Sequence, residues 1–305
     1  MGVRKTVFHT LEQHILAAQA VIANTQLNEK SCSLVSLPTH HVSGLAVIVR
    51  AWASGGKWLI PPKGWTLDWA VREHQVTHVS LVGTQLRRMM RDAEERRALS
   101  KLKAITLGGS AIAPSLVETA WREGLPIVLT YGMTESASQV TATRLGDSLK
   151  HCLSSGRCLS DRKLWIESNG EIVVSGAMLS VSNDFKTGDY GYLDSDGYLH
   201  VQGRLDNRFI SGGENIYPEE IERALLEHPE IEQAIVVPRE DLEYGQRPVA
   251  FVRVSHEQVL NPDAVIAFLR ERLERFKVPR DIRSWPLELG EGFKPNRNVF
   301  ATWIR

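Results

Sequence analysis

The sequence predicts an α/β protein: a largely parallel sheet, a smaller β-rich part after it, and a small α+β domain at the C-terminal end. Three observations carry this. From Ser31 to Thr130 short apolar runs alternate with helical patterns, as in βαβ units. After Ser136 hairpin patterns replace them, and past Arg204 helices that open on proline and acidic residues alternate with strands. At 305 residues and 34.2 kDa the chain is long enough for two domains of roughly 100–200 residues each.

Thr10 and Gln13 form a capping box ahead of an amphipathic helix carrying Leu11, Ile15, Leu16 and Ile22. The alternating region then predicts strands at 33–37, 57–60, 78–82, 104–107 and 127–129. Helices are expected between them at 45–53, 67–74, 84–92 and 114–123. Residues 164–167 and 171–175 read as a hairpin through Ser168-Asn169-Gly170, and 190–193 with 198–201 as a second around Asp194-Ser195-Asp196-Gly197. Helix starts follow at Pro218-Glu219-Glu220 and Asn261-Pro262-Asp263, with strands at 233–237 and 248–254. No internal repeat or low-complexity tract interrupts this order.

Composition excludes several classes. Lys plus Arg equals Asp plus Glu at 36 each, so no net field favours nucleic acid, and no dense basic run marks a membrane-binding face. Selectivity is therefore expected from pockets that take a small molecule. Cys32, Cys152 and Cys158 are odd in number and lack the close pairing of a zinc site, which fits free thiols in a reducing compartment, the cytoplasm. Arg50 interrupts the apolar run 45–52, and no run approaches the roughly 18 residues that span a bilayer. Met1-Gly2-Val3-Arg4-Lys5-Thr6 fits the loose myristoylation pattern, and Arg4-Lys5 ahead of 15–20 imitates a secretory signal. Glu12, Gln13 and His14 break the second pattern, and the capping box explains the segment better.

Four segments carry the chemistry, in one order: Tyr131-Gly132-Met133-Thr134-Glu135, Thr187-Gly188-Asp189, Gly203-Arg204-Leu205-Asp206, and a lone Lys294 near the C-terminus. Each alone has an ordinary reading: a turn aspartate, a loop aspartate, a solvated surface lysine. Together they resemble the adenylate-forming family of acyl-CoA synthetases, luciferases and peptide-synthetase adenylation domains. The resemblance implies that family's fold, with residues 1–203 as the remainder of a large AMP-binding domain and 204–305 as a mobile C-terminal domain hinged near Asp206.

The reaction implied is carboxylate plus ATP giving acyl-adenylate and pyrophosphate, then thiol attack by coenzyme A giving a thioester and AMP. Thr134 would offer its hydroxyl to a phosphate oxygen, and Glu135 is a hard oxygen ligand suited to Mg²⁺. Gly108-Gly109-Ser110 after a strand removes side chains where adenine and acyl group approach backbone, with Tyr131, Gly132 and Met133 beside them. Asp189 would accept from both ribose hydroxyls, with Arg204 adding a donor fork. Lys294 would neutralise charge on the α-phosphate and carboxylate oxygens. Phe293 stands where the family usually has glycine before this lysine. After adenylation Ser211-Gly212-Gly213-Glu214 would replace Lys294 and line the thiol tunnel.

Three further segments, 37–44, 77–86 and 203–222 continuing to 243–250, are similar to a subfamily that couples 2-succinylbenzoate to coenzyme A on the way to menaquinone and phylloquinone. His41, Ser43, Ser80, Thr84 and Gln85 are its pocket candidates for an aromatic acid with two carboxylates, each equally suited to a core or capping role. No arginine is assigned to the second carboxylate.

Family members place a Ser/Thr/Gly-rich phosphate loop ahead of the first helix here. Gly2-Val3-Arg4-Lys5 matches only its tail, with Arg4 where proline is usual and Lys5 as the phosphate-facing cation. The expectation is weakened ATP use and apolar surface that a partner covers, such as a separate N-terminal half, with a homo-oligomer also open. Another carboxylate–CoA ligase, a peptide-synthetase adenylation domain, and a non-catalytic remnant that binds AMP or a partner stay open as alternatives.

Overall fold

The computed structural model describes residues 6–181, 184–255, 259–286, 288 and 296–304. Helix α1 (Leu11–Thr25) opens on the expected capping box: the Gln13 amide N–H donates to Thr10 Oγ1 at 3.2 Å, and the Thr10 N–H donates to Gln13 Oε1 at 2.9 Å. Beyond it lie β1 (Cys32–Leu34), α2 (Val42–Ala53), β2 (Lys57–Leu59), α3 (Leu67–His74), β3 (His78–Leu81), α4 (Gly83–Arg91), α5 (Ala93–Leu99), β4 (Ala104–Leu107), α6 (Pro114–Arg122) and β5 (Ile127–Met133). The predicted elements hold to within a few residues, and α5 and the end of β5 are new. β6 (Ser138–Ala142), α7 (Leu149–Cys152) and β7 (Arg157–Cys158) complete this part.

The seven strands form one sheet in the order β2-β1-β3-β4-β5-β6-β7. β2 through β5 pair in parallel, and β6 and β7 close the sheet antiparallel. Strands β1 and β4 are buried along their whole length, Ser33 and Thr106 included, so they show no alternation of buried and exposed positions. Leu34, Leu81, Leu86, Ile105, Leu107 and Val117 share the core between this sheet and its helices.

β8 (Arg162–Ile166), β9 (Glu171–Gly176), β10 (Phe185–Leu193) and β11 (Leu199–Arg204) form an antiparallel four-stranded sheet, the β-rich part expected. Its inner face, with Ile172, Val174 and Leu199, packs on Ala17 of α1 and on Ala137 and Val140 beside β6. The C-terminal part holds β12 (Phe209–Ser211), β13 (Glu214–Ile216), α8 (Pro218–Leu226), β14 (Ile231–Asp241), β15 (Gly245–Val254), α9 (Pro262–Arg270), β16 (Asp281–Ser284) and α10 (Arg297–Ala301). Successive residues of β14 face opposite cores, Val236 toward α8 and α9, Ile235 and Val237 toward Trp285 and Phe300. The expected strands 233–237 and 248–254 are the inner parts of a longer ribbon whose arms pair from Ile231↔Val254 to Asp241↔Gly245.

Three arginines of α4 tie this C-terminal part to the large sheet. Arg87 donates to the carbonyls of Ile231 at 2.7 Å and Leu226 at 2.8 Å, Arg91 pairs with Glu232 at 3.0 Å, and Arg88 approaches the same carboxylate at 3.8 Å. The Leu226 side chain packs against both cores. At the end strand β2 and on α2, Leu45, Trp52, Trp58 and, just past β2, Ile60 are exposed apolar residues.

Leu107 has no exposed surface and sits in the middle of the large sheet. Leu107→Ala is expected to cost about 2–5 kcal/mol, read as a lower urea midpoint with unchanged slope. Leu242→Ala, at a fully exposed site, should stay within about 0.5 kcal/mol of the parent.

Candidate active site

A cavity of about 110 Å³ opens at the C-terminal ends of β3, β4 and β5. That is where open parallel sheets offer a crevice, because the strands end while their connections diverge. One wall carries His41, Ser43 and Ser80, and another carries Gly108, Gly109, Gly132, Met133 and Thr134. Two sets of residues far apart in sequence thus face one space. Thr84 and Ser110 line a second cavity instead, about 170 Å³, between α4, α6 and the C-terminal part. Gln85 is committed to backbone: its Oε1 accepts from the Val82 N–H at 3.0 Å, and its Nε2 donates to the Ser36 carbonyl at 3.4 Å.

The glycine at 132 follows from a close approach. A Cβ there would stand 1.8 Å from the Ser138 carbonyl oxygen, so any side chain would part β5 from β6. Between these strands Thr134–Ser136 make one 3-10 turn, and Ala137 and Ser138 carry φ of +51° and +125°. Such conformations are strained for residues with a side chain and are held by their surroundings. Here the Ser136 hydroxyl accepts from the Met133 N–H at 3.2 Å, and the Ser180 N–H donates to the Glu135 carbonyl at 2.8 Å. Thr134 is exposed at the rim, its carbonyl bonded to His9 Nε2 at 2.7 Å, and Glu135 is half-buried.

Asp189 lies inside β10, not in a turn, directly opposite Arg204 of β11. Its Oδ2 accepts from the Tyr131 hydroxyl at 2.6 Å and its Oδ1 from Arg204 Nη1 at 3.3 Å. The same guanidinium makes a two-pronged pair with Asp206, Nε to Oδ1 at 2.8 Å and Nη2 to Oδ2 at 3.0 Å. Gly188 has φ of +72°, and a Cβ on it would meet Arg204 Nη2 at 2.9 Å. Burial raises the Asp189 carboxyl above the ordinary range, against the lowering effects of the Tyr131 hydrogen bond and the Arg204 charge. Asp206, bonded to Arg204 and more exposed, is held below it.

Gly212 and Gly213, φ +58° and +89°, form the two-residue turn of the β12–β13 hairpin, where both central residues need positive φ. Neither lines the cavity. Asp206 sits in the 3-10 turn 205–207 joining the β-rich sheet to the C-terminal part. Lys5 and Lys294 lie outside the described residues. Among the described residues no group of three or more His, Cys, Asp or Glu is arranged to hold a metal ion, and no helix is long and apolar enough to cross a membrane.

The residue that sequence reasoning missed is Arg50. It is 5% exposed, lies on α2, and lines the main cavity and the smaller one behind it. Its Nε donates to the Ala46 carbonyl at 2.9 Å. Burial brings the guanidinium down to about 10, so it keeps its charge at neutral pH. The signal was present: an arginine inside the apolar run 45–52 serves as a membrane argument and equally as a sign of a buried cation that needs an anion.

A carboxyl whose pKa is raised by folding favours the folded state while protonated. That contribution is full below the unfolded value and is lost as pH rises through the folded value. Asp189→Asn is therefore expected to gain in melting temperature over the parent as pH is raised from about 4 toward neutrality. A parent that gained on the variant over that span would overturn the burial argument.

Residues 2–180 match the model of the AMP-binding enzyme family, and residues 220–289 that of the AMP-binding enzyme C-terminal domain. The chain is 36% identical to the 2-succinylbenzoate–CoA ligase of Geobacillus kaustophilus over 92% of its length and 62% of that protein's. It is 34% identical to the ligase of that name from Haemophilus influenzae, covering 99% of this chain and 68% of that protein. Among solved structures it superposes with a TM-score of 0.85 on an arginine-to-lysine variant of E. coli MenE with bound OSB-AMS, at 33% identity over 100% of this chain and 67% of that one. It matches the o-succinylbenzoate CoA synthetase of Bacillus subtilis in complex with the acyl-adenylate intermediate OSB-AMP with a TM-score of 0.82, at 28% identity over 93% and 63%. The chain thus spans 62–68% of the length of these relatives. By matched length, identity and fold, this chain belongs to the AMP-binding enzyme family, the adenylate-forming enzymes.

Proposed function

We propose that this chain carries the acid and nucleotide sites of an ATP-dependent acid–thiol ligase that joins 2-succinylbenzoate to coenzyme A through an acyl-adenylate. The observation that carries this reading is the single cavity that faces the nucleotide motif on one side and ends on the buried Arg50 on the other. A dicarboxylic acid is the substrate class that such a space suits. One carboxylate sits beside Thr134, Gly108 and Gly109 for reaction, and the second is held by the guanidinium. The names of the relatives from Geobacillus and Haemophilus, and the OSB-AMP complex of the Bacillus enzyme, support the same acid.

In this reading Asp189 takes the ribose hydroxyls, with Tyr131 and Arg204 aiming its carboxylate and opposing the rise that burial causes. Gly108, Gly109, Gly132 and Met133 let the nucleotide and acyl group approach backbone closely. Ser110 ends this stretch and lines the second cavity. The Thr134 hydroxyl donates to a phosphate oxygen. Glu135 would hold Mg²⁺ as the single carboxylate commonly used when phosphates and water complete the shell, and the ion would neutralise phosphate charge. Lys5 and Lys294 add the cations at the phosphates and at the reacting carboxylate. The acid carboxylate attacks the α-phosphorus and pyrophosphate leaves; the thiol of coenzyme A then attacks the acyl carbon and AMP leaves.

The proposed division is 1–203 for the large domain and 204–305 for the C-terminal one, turning at Asp206. The Arg204–Asp206 pair lies at that joint. The Gly212-Gly213 hairpin would then approach the thiol path. His41, Ser43 and Ser80 line the acyl pocket, while Thr84 and Gln85 act through the helix end they belong to. The cytoplasm, with its coenzyme A and its reduced thiols, is the proposed compartment.

Thioester formation from ATP, coenzyme A and a panel of aromatic acids, followed by mass spectrometry, tests the reading. The expected product is the coenzyme A thioester of 2-succinylbenzoate, with mono-acids used poorly. Arg50→Met should raise KM for 2-succinylbenzoate by about 10–100-fold, the worth of hydrogen bonds to a charge, and leave KM for ATP unchanged. Asp189→Ala should weaken AMP binding at least tenfold by calorimetry. AMP binding without thioester from any acid would reduce the reading to nucleotide binding, and a flat acid profile would replace 2-succinylbenzoate with a broader class.

A further inference from the structure

Where the C-terminal part meets the large sheet, two helix ends are each completed by a charged side chain from the other side. Helix α8 ends at Leu226, and the last carbonyls of a helix have no partner within it. Arg87 of α4 donates from Nη2 to the Leu226 carbonyl at 2.8 Å and from Nη1 to the Ile231 carbonyl at 2.7 Å. Helix α6 opens on Ala113, which has no polar side chain to cap it, and Pro114 brings no N–H. The N–H groups of Leu116 and Val117 both turn back to the Ala113 carbonyl, which leaves that of Ser115. It donates at 3.1 Å to Oε1 of Glu227, the residue that closes α8. A cation thus sits at the negative end of α8 and a carboxylate at the positive end of α6, the favourable sense for both helix dipoles.

Between the two caps lies the cavity of about 170 Å³, with Ile112 and Leu116 on one side and Ala234 and Ile235 on the other. An unfilled gap forfeits the dispersion contacts that make a joint permanent. The Ser115–Glu227 bond is exposed, so salt reaches it. Helix α4 starts where β3 ends and α6 follows β4, the two strands whose ends lead to Ser80 and Gly108-Gly109 of the main cavity. A part seated on these helices is therefore held in register with that cavity. The Gly212-Gly213 turn of the same part does not line it. Phe209 and Ile216 of the hairpin share one core with Ile221 of α8, so a turn that brings the hairpin to the cavity also moves α8 on its seat.

We propose that Arg87 and Glu227 are positioning residues: together they form a clasp of two reciprocal helix caps that holds the C-terminal part in the orientation for acyl-adenylate formation and opens for the thiol step. On opening, the Leu226 and Ile231 carbonyls, the Ser115 N–H and both charged side chains pass to water, so no group is left buried without a partner. Neither residue touches the reacting atoms, and both act through the placement of the part that carries α8. The assignment to one half-reaction rests on the reading above of a two-step ligase, whereas the clasp itself is a matter of orientation and is measurable without turnover.

Spin labels on the exposed Cys158 of the large sheet and on Leu242→Cys, in the turn between β14 and β15, report the orientation of the full chain as a distance distribution. One main distance is expected at low salt, with a second growing toward about 1 M salt, where charges are screened beyond about 3 Å. Arg87→Gln should raise the second population about tenfold at low salt, the worth of hydrogen bonds from a charge. Glu227→Gln should raise it about two- to fivefold, the worth of a charge at a helix end. Arg122→Gln, which loses a pair within α6 itself, is the control and should match the parent. The same single distance in both clasp variants and at every salt, or an equal change in the control, would overturn the clasp. In turnover, Arg87→Gln should slow acyl-adenylate formation about tenfold at saturating ATP and acid, as its shifted orientation predicts, with both KM values unchanged. It should leave thioester formation from supplied acyl-adenylate and coenzyme A at the parent rate or above. Equal slowing of both steps would make Arg87 a structural residue and overturn its positioning role. A shifted distance in the variants, with no acyl-adenylate formed by the parent from any acid, would remove the ligase reading and keep the clasp.

Discussion

The carboxylate of Asp189 ties the β-rich sheet to the large sheet, beside the strand end that leads into the C-terminal part. It receives the Tyr131 hydroxyl from the large sheet and the Arg204 guanidinium from the strand that leads into the C-terminal part, while itself belonging to the β-rich sheet. A buried carboxylate is unstable unless its charge is answered by hydrogen bonds and an opposite charge. One side chain therefore holds the end of β5 against β10, while β10 and β11 are already joined through the backbone. The geometry is cooperative, since the cross-strand register that sets Asp189 opposite Arg204 also requires the bare Gly188 beside the guanidinium.

The same logic of satisfied and unsatisfied polar groups separates scaffold from site. His78 is buried, yet its Nδ1 lies 2.8 Å from the Thr77 hydroxyl and its Nε2 lies 3.0 Å from the Thr25 carbonyl, and desolvation keeps the ring neutral; it belongs to the scaffold. Arg162 is buried and spends its donors on three carbonyls, so it also holds backbone in place. Arg50 and Gln139 are buried to the same degree but lie at the wall of a cavity, and the Gln139 oxygen has no partner. Burial alone does not mark a functional group.

The contact between α4 and the C-terminal part is of another kind. Arg87 donates to carbonyls near the end of α8 and the start of β14, where helix carbonyls lack partners and the helix dipole favours a cation. Around it the half-exposed Arg88 and Arg91 share the largely buried Glu232, interactions that water reaching the arginines and salt weaken. An interface of this composition holds an orientation without the permanence of a shared apolar core, apart from the single Leu226 that reaches both cores.

Much of this was legible in the chain. The βαβ alternation, the capping box at Thr10, the proline-opened helices and the hairpin turn at Ser168-Asn169-Gly170 are local, since periodicity, caps and turns are set by neighbouring residues. The order of the motifs around Thr134, Asp189 and Arg204 was legible for the same reason. What could not be read was anything made by residues that meet only on folding. β6 is written Ser-Gln-Val-Thr-Ala, a pattern with no clear period, and it is a strand because β5 and β7 pair with it on either side. Thr84 and Ser110 neighbour the right motifs in sequence, yet they open into a different cavity because α4 and α6 carry them past the sheet. Arg50 and Gln139, nearly ninety residues apart, share a cavity because the parallel order β1-β3-β4-β5 brings α2 and β6 to one end of the sheet. Most helices and strands and the order of the nucleotide motifs thus follow from neighbouring residues, whereas the meeting of Arg50 and Gln139 at one cavity follows from the strand order that packing selects.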